Sequence, residues 1–331
     1  MKKTKRPLRI LLRCLAAVLA LLLCFMLALV ILPLTETADR HSVEGSADWM
    51  SRLADDTPLH QIVLPGTHDS ATKHVQLAFF SKCQALDIGA QLEAGYRYLD
   101  IRLGMDRENG GFKLMHGFTN CKTGVFSGAL YLDAVLDRCY AFLQSHPTET
   151  VIFAVKQEHG DESVAAFETV LNDIIQKAPD YWLLTDSIPT LGEARGRLVL
   201  LRRYEDEAGQ GAAAGLPLLW DNQNGYDDTS LNTVSHDNGS YTLWVQDRYE
   251  YSAPDKWQAF NAGLAAAGKG GDELAIHFLS TKGTAAYGHP YFYATKLNPQ
   301  LLSLDAEALS GWIVVDFASA ILAEHIYSAN F

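Results

Sequence analysis

The sequence predicts an α/β fold, a single irregular (β/α)8 barrel preceded by an N-terminal transmembrane helix. Three observations predict it. Short apolar runs, several of them β-branched, recur along the chain, and each leads into polar residues and usually a helical stretch. Eight such runs fit within about 270 residues, the usual length of one such barrel, and no internal sequence repeat divides them. Ahead of them lies a charge-free segment, Cys14–Leu34, rich in Leu, Ala and Val.

That segment is long enough to span a bilayer core of about 30 Å at about 1.5 Å per residue. All six basic residues of the first 34 (Lys2, Lys3, Lys5, Arg6, Arg9 and Arg13) precede it, and no acidic residue accompanies them. This asymmetry predicts an N-terminus held in the cytoplasm and a domain delivered outside. The apolar run ends Val-Ile-Leu-Pro-Leu-Thr without a small-x-small cleavage site, and Cys24 follows Leu-Leu-Leu, which does not suit a lipid-modified cysteine. The reading is an uncleaved signal anchor with the domain extracytoplasmic; cleavage would instead give a secreted protein. The chain then divides into a basic cytoplasmic segment at 1–13, the anchor at 14–34, a polar linker at 35–46 and the barrel at 47–331.

With those six basic residues set aside, the remainder holds 21 Lys and Arg against 39 Asp and Glu, a balance of −18. Nucleic acid would repel such a domain, since its non-specific binding is driven by Lys and Arg. An anionic membrane surface would repel it too, so membrane contact must be apolar or use the N-terminal segment.

The strands expected in order are Gln61–Leu64, Tyr98–Leu103, Lys113–Met115, Val151–Val155, Arg197–Leu201, Thr242–Val245, Leu274–His277 and Trp312–Val315. Continuous apolar runs of this kind suit strands buried on both faces. Leu130–Gln144 reads as an amphipathic helix stopped by His146-Pro147. The interval Met105–Phe112 is too short for a helical crossover, so this TIM-like barrel must be irregular between its second and third strands.

The residues at the end of each strand are more informative. The first strand leads into Pro65-Gly66-Thr67-His68-Asp69-Ser70. The second carries Asp100 and Arg102 on one face, with Leu99, Ile101 and Leu103 on the other. The third ends at His116, the fourth at Lys156, the fifth at Arg202-Arg203, the sixth at Asp247 and Tyr249, and the eighth at Asp316. In barrels the loops at the C-terminal strand ends form the active site. Alone, Asp69 or Asp316 could be a helix cap and Lys156 a solvated loop residue. Together they put Arg102, Lys156 and Arg203 beside two histidines in an acidic domain, which points to an anionic, phosphate-bearing substrate.

Two histidines, an arginine and orienting carboxylates can cleave a phosphodiester by general acid–base catalysis. A neutral imidazole takes a proton from an attacking hydroxyl, an imidazolium gives one to the leaving oxygen, and the guanidinium meets charge developing on phosphorus-bound oxygens. A carboxylate bonded to a histidine fixes its tautomer. The residues alone leave open which histidine is base and which is acid. The set needs no cofactor, and no Cys/His spacing suggests zinc.

The string Leu64-Pro65-Gly66-Thr67-His68-Asp69-Ser70-Ala71-Thr72, then Tyr98-Leu99-Asp100-Ile101-Arg102, then His116-Gly117, resembles the X-domain of phosphatidylinositol-specific phospholipase C. Further matches are Pro147–Lys156, Ala194–Tyr204, Val245–Tyr249, Pro290–Thr295 and Gly311–Asp316. They run in order from 61 to 316 and are similar to the single-domain bacterial enzymes. The resemblance implies an incomplete barrel and a two-step, metal-independent reaction. Phosphatidylinositol would be cleaved to diacylglycerol and myo-inositol 1,2-cyclic phosphate, with slow hydrolysis to inositol 1-phosphate as the second step. It also implies roles: His68 as general base held by Asp316, and His116 as general acid paired with Asp69. Arg102 would bind phosphate and Asp100 complete the network. Lys156, Arg203 and Asp247 would hold inositol hydroxyls, and Tyr249 would stack on the ring. Eukaryotic relatives place calcium where the Arg102 guanidinium would sit, so Arg102 implies a calcium-independent enzyme.

The partners expected are phosphatidylinositol or a glycosylated inositol phospholipid and a membrane surface, with the protein a monomer. Leu77–Phe80 and residues 285–288 form either an apolar rim dipping into lipid or ordinary core. Cys83 and Cys121 either pair or stay free, and Cys139 reads as a small buried hydrophobe. Two other functions stay open: a metal-dependent glycerophosphodiester phosphodiesterase, which would need a carboxylate cluster near His68 that the sequence does not display, and a non-catalytic inositide-binding module.

Overall fold

The computed structural model describes residues 5–37, 41–223, 234–266, 271–285 and 288–331. Helix α1 (Lys5–Thr35) is followed by β1 (Leu64–Thr67), the single turn α2 (Ala78–Ser81), α3 (Ile88–Glu93), β2 (Tyr98–Met105), β3 (Phe112–His116), β4 (Thr119–Asn120) and α4 (Leu132–Ser145). Then come β5 (Val151–His159), α5 (Val164–Ile175), β6 (Trp182–Leu183), α6 (Leu191–Ala194), β7 (Leu198–Arg202), β8 (Leu216–Pro217) and β9 (Val234–Asp237). The chain ends with β10 (Thr242–Gln246), α7 (Ala253–Ala266), β11 (Glu273–Phe278), α8 (Pro290–Leu301), β12 (Trp312–Val315) and α9 (Ala320–Tyr327).

The strands form one curled sheet in the order β6-β7-β5-β2-β1-β12-β11-β10-β9, parallel from β6 to β10, with β9 antiparallel. This is the irregular α/β barrel that the sequence predicts, with two strands assigned differently. The segment expected as the third barrel strand, β3, pairs antiparallel with β2 and lies off the barrel path. The reason is the short connection: Gly110 and Gly111, at φ 75° and 74°, turn the chain straight back. β2 instead pairs directly with β5, and the sheet gains β6 beyond β7, two residues long and too short to show as an apolar run.

Among the described residues the sheet does not close, and β8 and β9 flank the seam. Between β7 and β10 the described residues contain no α-helix that could cover a crossover. Side chains bridge the seam instead. Asn238 accepts from the Leu219 N–H at 2.8 Å and donates to the Leu219 carbonyl at 3.1 Å, and the Tyr241 hydroxyl donates to the Pro217 carbonyl.

Strand alternation sorts the core into two layers. Tyr98, Ile152, Ala154, Val199, Leu201, Val245 and Ile276 fill the barrel interior. Leu99, Ile101, Val151, Phe153, Leu198 and Leu200 face outward onto the apolar stripes of α4 and α5. In α4 that stripe is Leu132, Val135, Leu136, Cys139, Phe142 and Leu143, and the helix stops at His146 before Pro147, as the sequence predicts. Gly66 lets β1 and β2 lie this close, since a Cβ there would stand 2.9 Å from the Tyr98 Cβ.

At the opposite end from the site, Arg97 is fully buried and ties four segments together. It pairs with Glu149 at 2.8 Å and donates to the carbonyls of Leu92, Tyr96 and Ala47. Of the residues read as a linker, Glu36 and Ser46 are buried against the barrel. Cys83, Cys121 and Cys139 are buried free thiols.

Candidate active site

The C-terminal strand ends build the site in layers set by side-chain parity. On β5, Ile152 and Ala154 point into the barrel, so Lys156 and then Glu158 follow them upward on the same face. On β2, Asp100 and Arg102 continue above Tyr98 in the same way.

At the mouth of β1 the chain turns through Asp69, a non-glycine residue at φ 43°. This left-handed geometry costs a non-glycine residue about 1–2 kcal/mol. It is held by the Asp100 carboxylate, which accepts from the Asp69 N–H at 3.1 Å. Phe317, beyond the end of β12, has the same conformation at φ 51°. Gln84 ties the two turns together: its amide donates to the carbonyls of His68 and Val315, and its oxygen accepts from the Ala318 N–H. Gln84 had no signal in the sequence, because its role lies in backbone bonds across long sequence separations.

His68 donates from Nδ1 to Asp316 Oδ1 at 2.8 Å, which leaves Nε2 as the free basic nitrogen of the neutral ring. His116 is held by the Ser81 carbonyl, 2.8 Å from its Nδ1. The two Nε2 atoms converge on one oxygen, Asp69 Oδ2, at 3.2 Å from His68 and 3.5 Å from His116. The ring centroids are 6.3 Å apart. A phosphorus centre between the rings would have one imidazole on its attacking side and the other on its leaving side. Burial pulls the His68 imidazole down, but Asp316 and Asp69 outweigh it and hold the group above its ordinary value.

Arg102 lies beneath this pair. Its guanidinium contacts Asp69 Oδ1 at 3.2 Å, Asp100 Oδ2 at 3.0 Å and Glu158 Oε1 at 3.1 Å. Arg203 takes the other oxygen of Asp100 at 3.0 Å. Burial would raise the Asp100 carboxyl, but Arg102 and Arg203 hold it well below the usual carboxylate range. Glu158 is likewise held down against its burial by Arg102 and Lys156.

The network continues along the rim. Lys156 Nζ lies 2.6 Å from Glu158 Oε2, whose other oxygen accepts from the Gly117 N–H at 2.9 Å. The Arg203 guanidinium packs 3.9 Å above the Trp220 ring, and Trp220 Nε1 donates to Asp247 Oδ2 at 3.2 Å. The Tyr249 hydroxyl lies 3.2 Å from Asn222 Oδ1. Direct or one-residue contacts thus join His68, His116, Arg102, Asp69, Asp100, Asp316, Lys156, Arg203 and Asp247. Tyr249 stands two residues beyond Asp247. Glu158 and Trp220 were missed from the sequence. Glu158 could have been found by extending the Lys156 parity two residues, whereas Trp220 lies in a segment without strand periodicity.

The sequence displays no carboxylate metal cluster near His68, whereas the structure brings candidate donor groups together there. His68, Asp69 and Asp100 bring donor atoms within 4.8 Å of one another, as do His68, Cys83 and Asp316. The first group does not suit a divalent cation, because Arg102 already occupies the facing oxygens of both carboxylates. The second includes Cys83, whose burial raises the thiol well above its ordinary value and so opposes the thiolate a metal would need.

The rim has partly the expected character. Leu77 is 58% exposed, whereas Phe79 stacks on the His289 ring at 4.1 Å. Of residues 285–288, Ala286 and Tyr287 lie outside the described residues.

An open parallel barrel with a histidine pair and a guanidinium at its C-terminal rim defines a general acid–base phosphodiesterase class. The family model described as phosphatidylinositol-specific phospholipase C, X domain, matches residues 56–204. A 1-phosphatidylinositol phosphodiesterase of Staphylococcus aureus (strain Newman) is 29% identical over 291 residues, covering 82% of this chain and 88% of that protein. One from Listeria monocytogenes is 30% identical over 207 residues, covering 55% of this chain and 59% of that protein. A solved phosphatidylinositol-specific phospholipase C of S. aureus superposes with TM-score 0.69 at 26% identity, over 86% of this chain and 97% of that one. The L. monocytogenes structure shares the fold, with TM-score 0.63 at 23% identity over 86% and 99% of the two chains. Along most of its length the chain is similar to the bacterial phosphatidylinositol-specific phospholipases C, and residues 56–204 match their X domain.

Proposed function

We propose that this protein cleaves phosphatidylinositol to diacylglycerol and myo-inositol 1,2-cyclic phosphate without a metal ion. The observation that carries the reading is the convergence of His68 and His116 Nε2 on one point above the Arg102 guanidinium. His68, its Nδ1 proton engaged by Asp316, takes the proton of the inositol 2-hydroxyl as that oxygen attacks phosphorus. His116, paired with Asp69, protonates the diacylglycerol oxygen as it leaves. Arg102 neutralises charge on the non-bridging oxygens, held in place by Asp69, Asp100 and Glu158. Lys156, Arg203 and Asp247 hold inositol hydroxyls and Tyr249 covers the ring. In the second step the histidines exchange roles and water opens the cyclic ester slowly.

The chain divides as residues 1–13 in the cytoplasm, 14–34 as a retained anchor, 35–46 as a connection and 47–331 as an extracytoplasmic barrel acting as a monomer. The described residues include one helix apolar and long enough to cross a membrane, Pro7–Thr35, near the N-terminus. The burial of Glu36 directly after it favours retention over cleavage. A glycosylated inositol phospholipid is a second substrate of the same chemistry.

Phosphorus NMR of phosphatidylinositol in mixed micelles with the full chain and EDTA tests the reading. A cyclic phosphodiester signal is expected, and His68→Ala should abolish it. Turnover only with added calcium would overturn the role of Arg102. Absence of turnover under both conditions would overturn the activity.

A further inference from the structure

Helix termini leave their last four carbonyls without intrahelical donors. At the end of α1 a barrel side chain supplies donors: Lys82 Nζ, buried, lies 2.7 Å from the Pro33 carbonyl and 2.6 Å from that of Glu36. The Glu36 carboxylate, 4% exposed, turns inward and contacts His289 Nε2 at 3.1 Å and Lys82 Nζ at 3.8 Å. His289 is fixed in turn by the Phe79 carbonyl, 2.7 Å from its Nδ1, and by stacking on the Phe79 ring. A buried carboxylate gripped from two sides is not what a free tether would show.

We propose that Glu36, Lys82 and His289 form a clasp that locks the outer end of the anchor to the barrel rim, so that the enzyme draws its lipid from the leaflet in which its own anchor stands. This rests on the lipid-cleaving and retained-anchor readings above. The clasp is one residue from the chemistry, because Ser81, next to Lys82, carries the carbonyl that orients His116. The charge-free run Cys14–Leu34 spans about 32 Å at about 1.5 Å per residue, close to a hydrocarbon core of about 30 Å. The outer end of the helix, and the clasp at Glu36 directly after it, therefore fall at the outer membrane interface.

A groove of about 910 Å³ lies between Met26–Leu34 and the rim, walled on the barrel side by Leu77, Phe80, Val125 and Phe126. Leu77 and Phe126 are 58% and 96% exposed. Lys73, paired with Asp87 at 2.8 Å, and Lys122, which donates to the Val125 carbonyl at 2.7 Å, stand at the groove. The occupant that fits is lipid of the anchor's own leaflet.

The test uses the full chain in proteoliposomes, with labelled phosphatidylinositol either in the same vesicles or in a second, protein-free population. Same-vesicle turnover should exceed that of the second population by about tenfold or more. Glu36→Ala, and separately an eight-residue Gly/Ser insertion between Thr35 and Glu36, should each lower same-vesicle turnover about fivefold. Both should leave a soluble short-chain substrate within about twofold of the parent. Equal turnover of the two populations, or full same-vesicle rates in both variants, would overturn the clasp. A second readout is independent of activity: Trp introduced by Phe126→Trp should be quenched by brominated lipid, and the insertion should relieve the quenching. Unchanged quenching overturns the clasp even where the protein turns over nothing. Absence of soluble-substrate turnover with quenching as expected overturns the activity reading alone.

Discussion

Replacing Asp316 by Asn removes the charge that sets the protonation of His68 while nearly preserving shape. The His68–Asp316 bond is 2.8 Å long and the carboxylate is buried, so solvent screens it little. A hydrogen bond to a charged group of this kind is worth about 1.5–3 kcal/mol, and one pKa unit is about 1.4 kcal/mol, so the expected shift is about one to two units. Its direction comes from the mechanism. As general base His68 must be neutral, so kcat/KM falls as pH drops through its pKa, which Asp316 and Asp69 hold above the ordinary value against burial. In Asp316→Asn that limb should move about one to two units lower, with a fall in maximal rate of about 10²–10⁴ because the tautomer is no longer fixed. Stability has its own sign. A raised folded-state pKa contributes stability that is full below the unfolded value and lost as pH rises through the folded one. The variant should therefore lose more stability, relative to the parent, at pH 5.5 than at pH 8.5. A pH–rate profile on a soluble inositol phosphodiester, with denaturant titrations at both pH values, reads both effects. An acidic limb that stays in place would refute the assignment of His68 as base.

Glu158→Gln removes the charge shared by Arg102, Lys156 and the Gly117 N–H and replaces one of the two acceptor oxygens by a donor, and should lower kcat/KM by about 10–100-fold, the worth of one charge-assisted bond. A change within about twofold would show that Arg102 is held well enough by Asp69 and Asp100 alone. Arg97→Met leaves Glu149 buried without its partner and frees the carbonyls of Leu92, Tyr96 and Ala47. It should cost about 3–5 kcal/mol in a urea titration, and an unchanged midpoint would show that the pair is dispensable.

The fold was legible where strands are long enough to show periodicity. The alternation of Leu99, Ile101 and Leu103 against Asp100 and Arg102 appears in the structure as outer layer and site face. It was not legible where pairing replaces periodicity. β6 has two residues, and β3 carries the same apolar run as a barrel strand, yet its partner and direction are set by the Gly110-Gly111 turn. For the site, the ionisable residues at strand ends were readable because strand termini mark the rim. Their contacts were not. Nothing in the sequence puts the Ser81 carbonyl behind His116, or Gln84 between the turns at His68 and Asp316. Both depend on backbone atoms of segments that the fold brings together. That the carboxylates come close enough to share donor space was not legible for the same reason: Asp69, Asp100 and Asp316 are 247 positions apart at the extremes and meet only through β1 pairing with both β2 and β12.

Charge balance explains how so acidic a domain can take an anionic substrate. The innermost groups comprise three fixed cations, Arg102, Arg203 and Lys156, and four carboxylates, Asp69, Asp100, Glu158 and Asp316. With both histidines neutral the cluster is one charge negative and would repel a phosphodiester. One imidazolium makes it neutral, which lifts the repulsion of a phosphodiester monoanion while His68 stays neutral to act as base. Substrate entry and histidine protonation should therefore favour each other. The carboxylates around Arg102 do not cancel its use, since they fix its planar fork in one orientation and suppress the cost of reorganising it when charge develops on phosphorus. The positive charge that varies is carried by the imidazoles. On this account the proton that His116 delivers to the leaving oxygen is also the charge that helps admit the phosphate, and binding and catalysis draw on one ionisation.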